Sequence, residues 1–188
     1  MKEKKKNTTA IYVSIFIAFI MITSVIGYIF GDSSQQTVRY KNLKFTLTSE
    51  GWKTKYEGKP YIFTYTPKDL EGVNISESIN LADLLQIDVT YDYNSTFAEN
   101  IAYSIFELSK IGYERGIYIR QGFTTNASEG FPVIKCENAS QFVPIVYFKS
   151  SNVTQFKQEG NCILIESSDS NGFLPLSDKL AYRMLRIV

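Results

Sequence analysis

The sequence predicts an α+β fold: a largely antiparallel sheet of about six to eight strands flanked by two helices, preceded by one N-terminal transmembrane helix. Three observations predict it. Residues 10–30 form an unbroken uncharged stretch. Beyond them, several short runs alternate apolar and polar side chains, the period-two mark of a strand with one wet face. Two longer segments, one after residue 96 and one near the C-terminus, instead repeat apolar residues at helical spacing. With 188 residues, 44% of them hydrophobic and 14% aromatic, the chain carries enough apolar surface for one folded domain beside that helix.

The N-terminal element comes first. Residues 1–9 read as a basic cytoplasmic tail with Lys2, Lys4, Lys5 and Lys6 against Glu3. Residues 10–30, rich in Ile, Phe, Val and Ala, give a helix about 32 Å long, enough to cross a hydrocarbon core of about 30 Å. The lysines on one side, and only Asp32 before Arg39 on the other, orient it with the N-terminus inside and the rest outside. Tyr12, Tyr28 and Phe30 suit interfacial anchors. A cleaved signal peptide is the rival reading, with cleavage after Gly27, but its apolar part is normally shorter and ends in small residues. Residues 31–37 then form a stalk and residues 38–188 an extracytoplasmic domain, giving a single-pass protein of the cell membrane whose residues 10–30 sit in the lipid bilayer.

Within the domain, 38–40 and 43–48 read as strands, the second alternating Leu43, Phe45 and Leu47 with Lys44, Thr46 and Thr48. Ser49-Glu50-Gly51 turns the chain into Trp52, a further strand covers 61–66, and 67–83 is a long loop. Residues 85–93 form a strand with Ile87, Val89 and Tyr91 on one face and Asp88, Thr90 and Asp92 on a wet face. Thr96-Phe97-Ala98-Glu99 is a capping-box pattern, Phe97, Ile101, Ile105 and Leu108 form the buried stripe of the helix it starts, and Gly112 stops that helix. Short strands follow at 116–123, 131–136, 141–149, 153–158 and 161–167, separated by turn residues. A closing helix from about Leu176 faces Leu176, Leu180, Met184 and Ile187 inward and Lys179, Arg183 and Arg186 outward, as a solvated basic face.

Composition bounds the chemistry. There is no histidine, so Ser-His-Asp and Cys-His catalysis, His-ligated metals and imidazole pH switches are excluded. No Gly-x-Ser-x-Gly elbow, Ser-x-x-Lys dyad, dinucleotide-binding turn, P-loop or EF-hand loop occurs. Bases and acids balance at 20 to 19, and the bases form no block able to track a phosphate backbone, so no nucleic acid is expected. Cys136 and Cys162, the only thiols, both fall outside the membrane, where a disulfide is favoured over two buried reduced cysteines. Asn74, Asn94, Asn126, Asn138 and Asn152 each open an Asn-x-Ser/Thr acceptor pattern for glycosylation on the same side, while the pattern at Asn7 lies on the inner side.

Carboxylates remain the main possible chemistry. Asp88 and Asp92 share a strand face about 13 Å apart, too far for a tight acid–base pair, and serve a wet surface. Glu50, Glu57, Asp69 and Glu71 occupy loops that could converge on a hard cation. Tyr91, Tyr93, Tyr103, Tyr113 and Tyr118 surround the strand-helix-strand unit, as sheet margin or as contact surface.

The Asn42-Leu43-Lys44-Phe45-Thr46-Leu47-Thr48-Ser49-Glu50-Gly51-Trp52 segment, with the succession of elements after it, resembles the PsbP-like group, which includes DcrB-type proteins. The resemblance implies an antiparallel sheet flanked by helices, in a family of extrinsic photosystem subunits, lipoproteins and binding partners. It transfers no functional residue, since metal-binding histidines attributed to photosynthetic members have no counterpart here. The expected function is a non-enzymatic binding or accessory module for another envelope protein, without cofactor. The alternative is a ligand- or cation-binding sensor with a pocket between sheet and helices.

Overall fold

The computed structural model describes residues 8–30, 36–76, 79, 81–126 and 130–188. The basic tail through residue 7, with Asn7 of the inner acceptor pattern, and residues 31–35 of the expected stalk lie outside the described residues. Two compact units form, Met1–Gln36 and Thr37–Val188.

In the first unit, Thr8–Phe30 is one helix of 23 residues, α1. Its described side chains, from 11 to 26, are uncharged and exposed. Thr23 satisfies its hydroxyl within the helix, donating to the carbonyls of Phe19 at 2.9 Å and Ile20 at 3.0 Å. Among the described residues no helix is long and apolar enough to cross a membrane.

The second unit opens with β1 (Thr37–Tyr40), β2 (Leu43–Thr48), β3 (Gly51–Tyr56) and β4 (Lys59–Phe63), a four-stranded antiparallel meander. β3 lay hidden after the Gly51 turn because Lys53 and Lys55 point outward and interrupt any apolar run. The two-residue turn Glu57-Gly58 has positive φ at both positions, the geometry that suits a tight hairpin. Next come β5 (Gln86–Tyr91), α2 (Ala98–Arg115), β6 (Tyr118–Phe123), β7 (Ile145–Ser150), β8 (Gln155–Glu159), β9 (Cys162–Ser167) and α3 (Phe173–Met184). These five strands form a second sheet in the order β6-β5-β7-β9-β8, parallel throughout except for the β8–β9 hairpin.

The α+β class therefore holds, with three helices and two sheets, but the single, largely antiparallel sheet does not. The reason lies in the connections. A strand followed by a helix long enough to cross back places the next strand parallel to the first, as α2 does between β5 and β6. Residues 131–136, expected as a strand, contribute only one bridge, Phe123 to Val133, and lead into a 3₁₀ turn at Cys136–Asn138.

The principal core joins both sheets to both helices of this unit. Phe45 and Phe63 from the meander meet Tyr182 of α3, Phe63 stacking on it at 4.1 Å between ring centroids. Phe173, at the other end of α3, packs against Phe148 of β7. Contact with both sheets explains why nine of the twelve α3 residues are buried. It also corrects the expected basic face. Lys179 is buried and donates from Nζ to the Leu70 carbonyl at 3.0 Å, and Arg183 donates from Nε to the Ile79 carbonyl at 2.9 Å. Only Arg186 stays in solvent, where it meets Asp83. The two inner cations cap carbonyls of the 67–85 loop, which would otherwise lose water without a partner.

α2 buries Ile101, Ile105 and Leu108 as its stripe demands. Its start and stop differ from the expected ones. No side chain caps it: Phe97 occupies the N-cap and packs against Phe173, while Ser95 Oγ accepts the Phe97 N–H at 3.2 Å. Burial of an aromatic ring has displaced the Thr96 capping box. Gly112 does not end the helix either. A β-carbon there would stand 2.8 Å from Ile119 Cγ1, so this glycine permits close packing on β6. The stop is Gly116, left-handed at φ 83°, with the Ile117 N–H bonding the Gly112 carbonyl at 2.8 Å.

Candidate contact site

The five-stranded sheet is covered on both faces, which overturns the wet face assigned to β5. Ile87, Val89 and Tyr91 point into the principal core. Asp88 and Thr90 point the other way and are buried too. Asp88 takes Arg120 Nε at 2.9 Å on Oδ1, meets Nη2 of the same guanidinium through Oδ2, and accepts Gln86 Nε2 at 2.7 Å. Thr90 donates to the Ile134 carbonyl at 2.9 Å. The cover is the segment following β6, where Ile134 forms a small cluster with Ile145, Cys162 and Leu164. The Cys136–Cys162 disulfide, with Cα atoms 5.3 Å apart, staples that segment to β9.

No acid–base pair arises on β5, since Asp88 is committed to Arg120 and Asp92 is exposed, accepting the Asn94 N–H at 3.0 Å. The early-loop carboxylates are likewise occupied locally. Asp69 accepts from the Thr66 amide and hydroxyl, both at 2.7 Å, and Glu57 pairs with Arg115. Glu50 lines a groove described below, and Glu71 is exposed. Among the described residues no group of three or more metal-ligating side chains gathers.

One buried acid stands apart. Asp178 of α3 accepts the N–H groups of Thr64 and Tyr65, both at 2.9 Å on Oδ2, and burial pushes its carboxyl up to about 7. The Tyr182 hydroxyl donates to the Tyr65 carbonyl at 2.7 Å. Both side chains pin the exit of β4 to α3. Nearby on α2, the Glu107 carboxylate pushes the Tyr103 phenol upward.

The surface feature that stands out is apolar. Leu85 (83% exposed), Tyr113 (82%), Phe142 (80%) and Tyr118 (62%) are the most exposed large apolar side chains described in this unit, and all four lie at one end of it. That end is where α2 finishes and β5, β6 and β7 begin. Its backbone is fixed: the Tyr118 N–H bonds the Leu85 carbonyl at 2.8 Å, and the Asp88 N–H bonds the Pro144 carbonyl at 3.0 Å. A hollow of about 360 Å³ opens there, walled by Leu81, Leu84, Phe142, Pro144 and Ile163. A second concavity of about 790 Å³ runs between β3–β4 and α2, lined by Pro60, Ile62, Phe106 and Tyr113 with Lys53, Lys110, Glu50 and Glu114 at its margin. Lys110 Nζ stands 5.2 Å from the Phe106 ring centroid and 2.6 Å from Glu107 Oε2.

Of the tyrosines singled out by the sequence, Tyr91 is core, whereas Tyr93, Tyr103, Tyr113 and Tyr118 are exposed. Leu85 and Phe142, expected inside the strands at 85–93 and 141–149, instead lie in the connections just ahead of β5 and β7, and Phe106 carried no expectation. The usable signal was a second stripe on α2: Tyr103, Phe106 and Tyr113 fall off the Ile101, Ile105, Leu108 face at spacings that put them together on another. All five sequon asparagines are exposed. No protein-family model, curated protein or solved structure matches this chain.

Proposed function

We propose that this chain is a single-pass, membrane-anchored extracytoplasmic module that binds another envelope protein through the apolar end of its Thr37–Val188 unit. One observation carries the reading: Leu85, Tyr113, Tyr118 and Phe142, the most exposed large apolar side chains described there, share one end. Aromatic rings on a fixed backbone are what binding hot spots use, because little side-chain freedom is lost on contact. Two charge pairs near that end, Glu57 with Arg115 and Asp83 with Arg186, are closed within the chain and present no net charge to a partner.

The anchor reading rests on the sequence, on the uncharged run of residues 10–30 and the lysines ahead of it. The extracytoplasmic side is supported by the exposed sequons and by the Cys136–Cys162 bond, which suits an oxidising compartment. We carry the PsbP-like resemblance as a proposal about ancestry alone, on the sequence of the segment from Asn42 to Trp52.

The test is recovery of crosslinked complexes from detergent-solubilised membranes. The wild-type chain should give one reproducible adduct, and Leu85→Glu with Phe142→Glu should remove it while the melting temperature stays within a few degrees. An adduct unaffected by the double variant would refute the proposed surface. A second reading, a sensor for a small ligand, is favoured by the 790 Å³ concavity, a size typical of small-molecule sites. Thermal shift against ligand panels tests it, with loss of the shift in Phe106→Ala as the expected signature.

A further inference from the structure

We infer that Asn94 and Asn152 carry N-linked glycans and that Asn138 does not, so that sugar is confined, among these three, to the end of the unit opposite its apolar face. The inference rests on the extracytoplasmic placement proposed above. The reaction requires an asparagine carboxamide and a Ser or Thr hydroxyl two residues later, both accessible. In it the amide nitrogen bonds to C1 of a lipid-diphosphate-linked oligosaccharide, the C1–O bond breaks, the lipid diphosphate departs and the amide gives up one proton.

Asn94 follows β5 and Asn152 follows β7, so topology brings both to the end where these parallel strands finish. The two loops touch: the Ser95 and Ser150 hydroxyls share a hydrogen bond of 2.8 Å. Both asparagines are exposed, and among the described residues no hydrogen bond holds either carboxamide. The hydroxyl of Thr96, which the expected capping box would have consumed, makes no cap bond and lies exposed. Thr154 is exposed as well; its hydroxyl meets those of Ser167 and Ser168 at 3.4 and 3.2 Å and accepts the Ser168 N–H at 3.3 Å, so that in this sequon only the hydroxyl is engaged.

Asn138 is exposed but committed. Its Oδ1 accepts the Lys135 N–H at 3.2 Å, and its sequon partner Ser140 accepts the Val143 N–H at 3.0 Å. The intervening backbone is a 3₁₀ turn that begins at the disulfide-bonded Cys136. Both functional groups of that sequon are therefore engaged on a tethered turn. The patterns at Asn74 and Asn126 adjoin residues outside the described set and take no part in the inference.

Glycopeptide mass spectrometry on the full chain from its native membranes tests this, together with Asn94→Gln, Asn152→Gln and Asn138→Gln variants. Each of the first two should lose one glycan and the third none. Modification of Asn138 as complete as that of the other two, or no sugar on Asn94 and Asn152, overturns the inference. Protease treatment of intact cells separates that failure from failure of the placement. A shaved, sugar-free unit rejects only the glycans, whereas a protected one rejects the extracytoplasmic reading too.

Discussion

The two faces of the five-stranded sheet are closed by different means. On one, α2 and α3 bury a continuous apolar core around Ile87, Val89, Phe148 and Ile165. On the other, a segment without regular structure covers a small cluster around Ile134 and Leu164, supported by one disulfide and by the pairing of buried Asp88 with the exposed Arg120. A sheet face can therefore be dry without reading as apolar. Helices bring enough hydrophobic area to hold themselves down, whereas an irregular strap needs a covalent tie and satisfied polar groups.

Substitutions can break this contrast in graded steps. Phe148→Ala, on the helix-covered face, is expected to cost about 3–5 kcal/mol in urea denaturation, with the whole unit unfolding in one transition. The effect of pH comes next. Asp178 has a folded pKa of about 7 against an ordinary 3.8, so between these values the native state holds a proton that the unfolded chain releases. Its contribution is complete below about pH 4 and is lost as pH rises through about 7, a change on the order of 4 kcal/mol. In Asp178→Asn that slope should vanish, because the amide oxygen still accepts the Thr64 and Tyr65 N–H groups without titrating.

Opening the strap is a comparable but more local change. Cys136→Ser with Cys162→Ser should cost about 3.5 kcal/mol by release of loop entropy, with hydrogen exchange rising first along residues 131–143. Equal exchange on both faces would erase the distinction between them. The smallest effect is Tyr182→Phe, expected at about 1–3 kcal/mol from loss of one hydrogen bond to the Tyr65 carbonyl.

The same contrast explains what the sequence revealed. The helix-covered face was legible because Ile101, Ile105 and Leu108 on α2, and Leu176, Leu180 and Met184 on α3, keep strict helical spacing. The strap-covered face was not. Asp88 and Thr90 alternate with Ile87, Val89 and Tyr91 in the manner of a wet face, and the partners that permit their burial, Arg120 and the Ile134 carbonyl, come from 32 and 44 residues away. Lys179 misled for the same reason, since a lone hydrogen-bonded lysine on a helix looks solvated. Strand direction is set by the crossover through α2, which side-chain periodicity does not encode. The cysteine pair was readable from compartment and parity, but its task of holding a strap was not. The contact face escaped because Leu85 and Phe142 sit in connections, where apolar residues follow no period.

The proposed binding surface is the apolar end of the Thr37–Val188 unit, around Leu85, Tyr113, Tyr118 and Phe142. Site-specific photocrosslinking tests it most directly, with a benzophenone side chain placed at position 118 or 142, or at position 94 or 171 as controls, in the full chain in native membranes. Positions 118 and 142 should each give one adduct of a single mass, and positions 94 and 171 none of that mass. Adducts from the control positions alone, or from all four equally, would contradict it.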